Sequence, residues 1–227
     1  MSKILALDTS TDACSVALSL NGEITEDFRI IPRQHTQQLL PMIEVMLAEA
    51  GISVSALDAI AFGRGPGSFA GIRIATGVAQ GLAYGADLPV LPISTLESLA
   101  VSAAKREGAE KIVTALDARM DEIYVASYRI ENGLPITELK EQVSAPDALS
   151  LECDQYLAVG SGWRYLDGMS EQIKNSLKVS TETYYPSARD MLVLALDAWA
   201  QDKGMSPEQA LPVYLRDEVA WKKKDQQ

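Results

Sequence analysis

Two strand–loop–strand units, each running into an Asn-Gly turn, stand at corresponding places in the first and second halves of the chain. No other feature restricts its fold as much. Ala6-Leu-Asp-Thr-Ser-Thr-Asp12 aligns on Ala115-Leu-Asp-Ala-Arg-Met-Asp121, sharing Ala, Leu, Asp and the later Asp. The same offset pairs Val16-Ala17 with Val125-Ala126, and the units lead to Asn21-Gly22 and Asn132-Gly133. Apolar strands resemble one another, so the letters alone are weak. The shared order, closed each time by a strong hairpin signal, makes duplication the better reading. It predicts two similar α/β halves, each opening with a three-stranded antiparallel meander, with residues 1–107 and 108–227 divided near Gly108.

Pattern within each half supports this. Lys3–Thr9, Ala13–Leu20 and Glu23–Arg29 read as strands. From Thr36 the period becomes helical, with Leu39, Leu40, Ile43, Met46, Leu47 and Ala50 on one side, Pro41 near the first turn and Gly51 as a stop. A strand at Ala59–Phe62, a helix from Ser68 to about Ala86, a strand at Pro89–Ile93 and a helix opened by the capping box Ser94-x-x-Glu97 complete the first half. The second half offers strands at Ile112–Asp117, Glu122–Ile130, Thr137–Val143 and Gln155–Val159, then a helix from Ser187 to about Lys203.

Composition removes whole function classes. A chain of 227 residues with a formal charge of −11 does not bring a field suited to gripping nucleic acid or anionic membrane as a whole, although a local basic patch stays open. Two cysteines make no disulfide framework and suit a reducing compartment. The apolar N-terminal run is too short for a signal-peptide core, and no stretch approaches a membrane span, so the expectation is a soluble cytoplasmic protein. There is one histidine, His35, so two-histidine chelation is impossible within this chain. His35 reads as a polar residue near a helix start, Cys14 as a small buried residue and Cys153 as a thiol held unreactive between Glu152 and Asp154.

Four segments carry possible chemistry. Asp8, Thr9 and Ser10 sit at a strand mouth, where a carboxylate and hydroxyls either hold Mg²⁺ and a phosphate or make ordinary turn hydrogen bonds. Gly63–Arg73 places glycines between a strand and a helix, which suits either an anion loop or a tight turn with Ser68 as N-cap. Gly160-Ser-Gly162 follows the equivalent strand of the second half. In the helix after Ser68, Gly77, Gly81 and Gly85 recur every fourth residue beside Ala75, Ala79 and Ala83. Each interior glycine costs about 1 kcal/mol relative to alanine, so a close backbone neighbour is implied, either the chain's own sheet or a partner's helix. Lys222–Lys224 reads as a solvated tail. A stand-alone phosphotransferase, with Asp8 or Asp117 positioning Mg²⁺ and both glycine loops on phosphates, is the competing enzyme reading.

Ile4-Leu-Ala-Leu-Asp-Thr-Ser10, Gly65-Pro-Gly-Ser-Phe-Ala-Gly-Ile-Arg-Ile74, Ala115-Leu-Asp-Ala-Arg119 and Pro212-Val-Tyr-Leu-Arg216 together resemble the bacterial TsaB (YeaZ) family over essentially the whole chain. The resemblance implies an actin/sugar-kinase/Hsp70-like fold of two ribonuclease-H-like halves. It also implies a part in making threonylcarbamoyladenosine on transfer RNA, next to the anticodon. In that family the catalyst is the related TsaD, whose metal is held by two histidines on an early helix; this chain has only His35 there. The resemblance therefore implies a pseudoenzyme with no catalytic residue, metal or cofactor of its own, and it argues against the older glycoprotease label. ATP, Mg²⁺ and the TsaD metal belong to the complex. Partner contact is implied through the first two helices, carried over here to Leu39, Leu40, Ile43, Met46, Leu47, Ile74, Gly77, Val78 and Gly81. Further implications are a homodimer when alone, TsaE in the assembly, TsaC supplying the adenylate, and transfer RNA met indirectly through the complex.

Overall fold

The computed structural model of the chain describes residues 2–152 and 155–216. Strands β1 (Ile4–Asp8), β2 (Ala13–Leu20) and β3 (Glu23–Ile30) form the first meander. Helix α1 (His35–Glu49), β4 (Ala59–Gly65), α2 (Phe69–Ala86), β5 (Val90–Ser94) and α3 (Thr95–Glu107) follow. The second half runs β6 (Lys111–Arg119), β7 (Glu122–Glu131), β8 (Leu134–Ser144), β9 (Tyr156–Val159), a 3-10 segment (Ser161–Gly168), α4 (Glu171–Ser176), β10 (Leu177–Val179) and α5 (Ala188–Ala200). The first sheet has the order β3-β2-β1-β4-β5, and the second repeats it as β8-β7-β6-β9-β10. In each, the meander is antiparallel and the remaining pairs are parallel. This duplicated order is that of ribonuclease-H-like halves in the actin/sugar-kinase/Hsp70-like arrangement.

The local signals act as their chemistry requires. Asn21-Gly22 and Asn132-Gly133 all take positive φ, the backbone of a two-residue hairpin turn. Ser68, Ser94 and Ser187 accept hydrogen bonds from the first-turn amides of α2, α3 and α5. Helix α5 stops at Ala200, short of the expected Lys203, where the chain turns through a left-handed Asp202. The 3-10 segment, α4 and β10 had no clear signal in the sequence.

The central strands of both sheets are buried on both faces, whereas the edge strands β3 and β8 are largely open. Alternate residues of β1 point opposite ways: Leu5 and Leu7 pack under α1 and α2, and Ile4 and Ala6 pack against α5. On the second sheet Ile112, Leu116 and Tyr128 meet α3, while Val113, Ala115 and Ile123 meet Trp163, Met169 and Ile173 of the outer 3-10 segment and α4. The order of layers is α1/α2, first sheet, α5/α3, second sheet, then the 3-10 segment and α4. Each half thus lends its last helix to the other sheet. The topology repeats, and Val16-Ala17 and Val125-Ala126 keep the same faces, but the match of β1 on β6 does not. Leu7 faces the outer layer and its alignment partner Leu116 the inner one, because a bulge between Asp117 and Arg119 leaves β6 one residue out of step.

Candidate functional site

The Asp8–Ser10 turn lies at the C-terminal end of β1, fully enclosed: Asp8 and Thr9 are 0% exposed and Ser10 is 1%. Asp8 Oδ1 accepts hydrogen bonds from the Ser10 backbone N–H at 3.0 Å and from the Ser10 hydroxyl at 2.8 Å. Thr9 donates to the Gly71 carbonyl at 2.7 Å, and the Ser68 N–H donates to the Ser10 carbonyl at 2.7 Å. The Gly63–Gly71 segment therefore lies directly on this turn. A Cβ on Gly63 would collide with Asp8 Oδ2, and one on Gly71 with the Thr9 carbonyl. Gly63 makes room for the Asp8 side chain and Gly71 for the Thr9 backbone, at the spot where an anion loop would have kept space.

Among the described residues Asp8 Oδ2, though buried, has no hydrogen-bond partner. Burial raises the carboxyl from an ordinary 3.8 to about 6, against the lowering effect of the two Ser10 hydrogen bonds. In the second half, Gly160 and Gly162 press on Ala115 in the same fashion, and Ser161 Oγ accepts from the Asp117 N–H. Asp117 is already engaged by Arg119 and Arg164, each at 3.5 Å, and by the Tyr165 hydroxyl. Among the described residues no group of three or more His, Cys, Asp or Glu side chains is placed to hold a metal ion. His35 is 8% exposed, with Nε2 3.1 Å from the Ala13 carbonyl at the foot of α1. Cys14 is buried, its thiol pushed up to about 12 by burial and then by Asp8 and Asp27. Cys153 and Lys222–Lys224 lie outside the described residues.

The two ridges of α2 point in opposite directions. Ala75, Ala79 and Ala83 are 0% exposed against the first sheet. Gly77, Gly81 and Gly85 are exposed, and a Cβ on any of them would meet nothing within 4 Å. Among the described residues no neighbour accounts for the three glycines. Ile74 and Val78 are half-buried at the margin of this face.

On α1 the expected contact residues divide. Leu39, Ile43, Met46 and Leu47 are at most 7% exposed and belong to the core over Leu7, Val16 and Leu18, so they do not lie on an outer face. Leu40 is 44% and Val45 51% exposed, and with Pro41, Glu44 and Ala48 they form the outward side. The physical reason is that the helix turns about 100° per residue, which separates adjacent Leu39 and Leu40.

Two groupings lay beyond sequence reasoning. Arg64 of β4 pairs with Glu141 of β8 through both guanidinium nitrogens at 3.0 and 3.2 Å, and Ser94, the α3 N-cap, also donates to Glu141. Glu97 next to it is raised by burial and then by Glu141. The tail strap Pro212–Arg216 crosses between halves. The Val213 N–H donates to the Arg64 carbonyl at 2.8 Å, and Arg216 donates to the Ala118 and Arg119 carbonyls at 3.3 Å. Arg64, Tyr214 and Arg216 were visible as letters, but contacts across about eighty to a hundred and fifty residues leave no local pattern.

Comparison with known proteins adds three similarities. The family described as TsaD, tRNA N6-adenosine threonylcarbamoyltransferase, matches over residues 29–224. The tRNA threonylcarbamoyladenosine biosynthesis protein TsaB of Escherichia coli is 43% identical over 226 residues, covering 97% of each chain, and that of Haemophilus influenzae is 43% identical over 97% of this chain and 96% of its own. The solved structure of YeaZ from Pseudomonas aeruginosa superposes with a TM-score of 0.87 at 47% identity, over 95% of this chain and all of the other.

Proposed function

Because the chain belongs to the TsaB family of tRNA threonylcarbamoyladenosine biosynthesis proteins, itself within the reach of the TsaD family, we propose that it is the non-catalytic partner of a TsaD-type transferase. It binds and activates that subunit through the outward faces of α1 and α2. The observation that carries this reading is the exposed ridge of Gly77, Gly81 and Gly85. Three interior glycines together cost the isolated helix about 3 kcal/mol relative to alanine, a sum offset only when another backbone comes close. Leu40, Val45 and Tyr84, the last 71% exposed, add apolar area to the same outer layer.

The division of labour follows from what the chain itself offers. Its one histidine is tied to the Ala13 carbonyl, and its strand-mouth carboxylate is enclosed by Gly63. Activation is then a population shift: contacts to α1 and α2 that are better in the partner's active conformation favour that conformation by their difference. The homodimer of the isolated chain uses the same face and competes with the heterodimer. TsaE, ATP-Mg²⁺ and the TsaD metal act in the assembled complex, and transfer RNA is modified there.

A drop-out reconstitution tests the proposal. TsaC, TsaD, TsaE, transfer RNA, threonine, bicarbonate and ATP-Mg²⁺ are assayed for modified adenosine with this chain, without it, and with Gly81→Arg. The expected result is strong dependence on the chain, no product without TsaD, and a folded Gly81→Arg protein that fails to assemble and to support turnover. Equal product without the chain, or normal assembly by Gly81→Arg, overturns it.

A further inference from the structure

One helical turn before Gly77, on the same side of α2, a strip with a different chemistry begins, and the tail strap carries it to the β6–β7 turn. We propose that this strip, centred on Arg73, is a direct contact for single-stranded RNA, stacking exposed bases and holding their phosphates while the chain sits in its complex. The inference rests on the complex-subunit reading for its setting, and on the following geometry for its content.

The Arg73 guanidinium lies 3.7 Å above the centre of the Phe69 ring and 5.5 Å from that of Tyr214. Its Nε donates to the Tyr214 hydroxyl at 2.7 Å, and the two rings sit 5.7 Å apart at 45°. Phe69 is 56% and Tyr214 44% exposed. Among the described residues Arg73 has no carboxylate partner; rings and a phenol orient it instead. A guanidinium fixed in this way, with its donors still facing solvent, loses little further freedom on binding a phosphate. Two partly exposed aromatic rings beside it are the equipment that single-stranded nucleic acid uses, since every base can stack.

The strap carries the strip onward. Two residues past Tyr214, Arg216 reaches Met120 Sδ at 3.3 Å at the β6–β7 turn. There Arg119, Met120 and Asp121 all take left-handed backbone, with φ of 64°, 56° and 56°. Left-handed backbone is disfavoured for side chains of this kind, and three in succession hold Arg119 and Met120 out in solvent. The Arg119 side chain is 83% exposed and Met120 65%, and Arg164, at 65%, joins Arg119 across Asp117. Among the described residues, four guanidinium groups (Arg73, Arg119, Arg164, Arg216) meet three carboxylates (Asp117, Asp121, Glu122) along this strip, whereas the chain as a whole carries −11. At physiological salt the field of the remote acids is screened beyond about 8 Å, so the local balance governs a bound phosphate. The overall charge still keeps free RNA away, which is why the contact operates only once a partner holds the RNA nearby.

The test uses the assembled complex with the catalytic partner and a fluorescein-labelled anticodon stem–loop, titrated by anisotropy over a range of salt. Arg73→Ala and the double variant Arg119→Ala/Arg164→Ala should each weaken RNA binding about three- to tenfold and lower the slope of log K against log salt by about one per phosphate lost. Tyr214→Leu should weaken binding about tenfold with an unchanged slope. All variants should join the partner with wild-type affinity. Unchanged RNA affinity and slope in every variant overturns the proposal. So does loss of partner assembly in place of RNA binding, which would make the strip an extension of the protein interface. If the wild-type chain does not join the partner at all, the scaffold reading fails and the strip, whose contact needs that partner, is overturned with it; unchanged RNA affinity with assembly intact overturns the strip alone.

Discussion

The most quantitative consequence of the fold is the ionisation of Asp8, which Asp8→Asn isolates. The folded carboxyl titrates near about 6, above its ordinary 3.8, because burial penalises the charge more than the Ser10 hydrogen bonds favour it. For an acid raised in this way, the folded state binds the extra proton. Its contribution to stability is complete below 3.8 and is lost as pH rises through about 6. The full loss is about 3 kcal/mol, at 1.36 kcal/mol for each unit of separation. Between about pH 5 and about pH 7.5 the portion still to be lost is about 1.4 kcal/mol.

Asn keeps the Oδ1 acceptor for Ser10 but puts an amide where Oδ2 has no partner. That unpaired donor costs about 1–3 kcal/mol at every pH and makes the absolute change at neutrality small. The pH dependence of the difference is what decides. Urea unfolding of both proteins at the two pH values should show Asp8→Asn gaining about 1.4 kcal/mol on the wild type as pH rises, with all other titrating groups cancelling. A stability difference that is the same at both values would refute the charged, unpartnered carboxylate and with it the enclosed turn.

Five other substitutions separate the roles assigned above. Gly77→Ala and Gly81→Ala should each stabilise the isolated chain by up to about 1 kcal/mol, measured by urea midpoint, while weakening partner binding in the same preparation. Gly71→Ala drives a Cβ into the Thr9 carbonyl, so a loss of about 3 kcal/mol or more is expected in the same unfolding assay. Met46→Lys should unfold the chain, since Met46 is 7% exposed in the core, whereas Val45→Lys one position away should leave stability within about 0.5 kcal/mol and abolish assembly, as read by thermal unfolding and analytical ultracentrifugation.

Much of the architecture was legible because it rests on short-range rules. The strand runs, the two Asn-Gly turns and the serine caps are decided within a few residues, and β2 begins and ends at the expected Ala13 and Leu20. The long-range choices were not legible. The helical period of α1 marks an apolar side but gave Leu39 and Leu40 the same environment, and only the packing over Val16 and Leu18 separates them. Likewise, alternating small residues on α2 give two ridges without saying which meets the sheet. The alanines go inward because their methyl groups fill the space above Leu5 and Phe62, a benefit the glycines cannot supply. The glycine loop was ambiguous for a related reason. Close approach to a phosphate and close approach to the Thr9 carbonyl both require a missing Cβ, and the sequence carries no record of which neighbour fills the gap.

The exchange of helices between the halves also orders events in time. Ile4, Ala6 and Ala17 leave the ribosome more than a hundred and fifty residues before those that cover them, Ala188, Met191, Leu192 and Ala195. Through most of synthesis the inner face of the first sheet has no lid from its own chain, and α3, made early, must wait for β6 and β7 before it has a sheet to lie on. Vectorial folding, half by half, is therefore closed to this molecule. It becomes a finished object in one late step, when the last helix threads between two sheets that are already waiting for it.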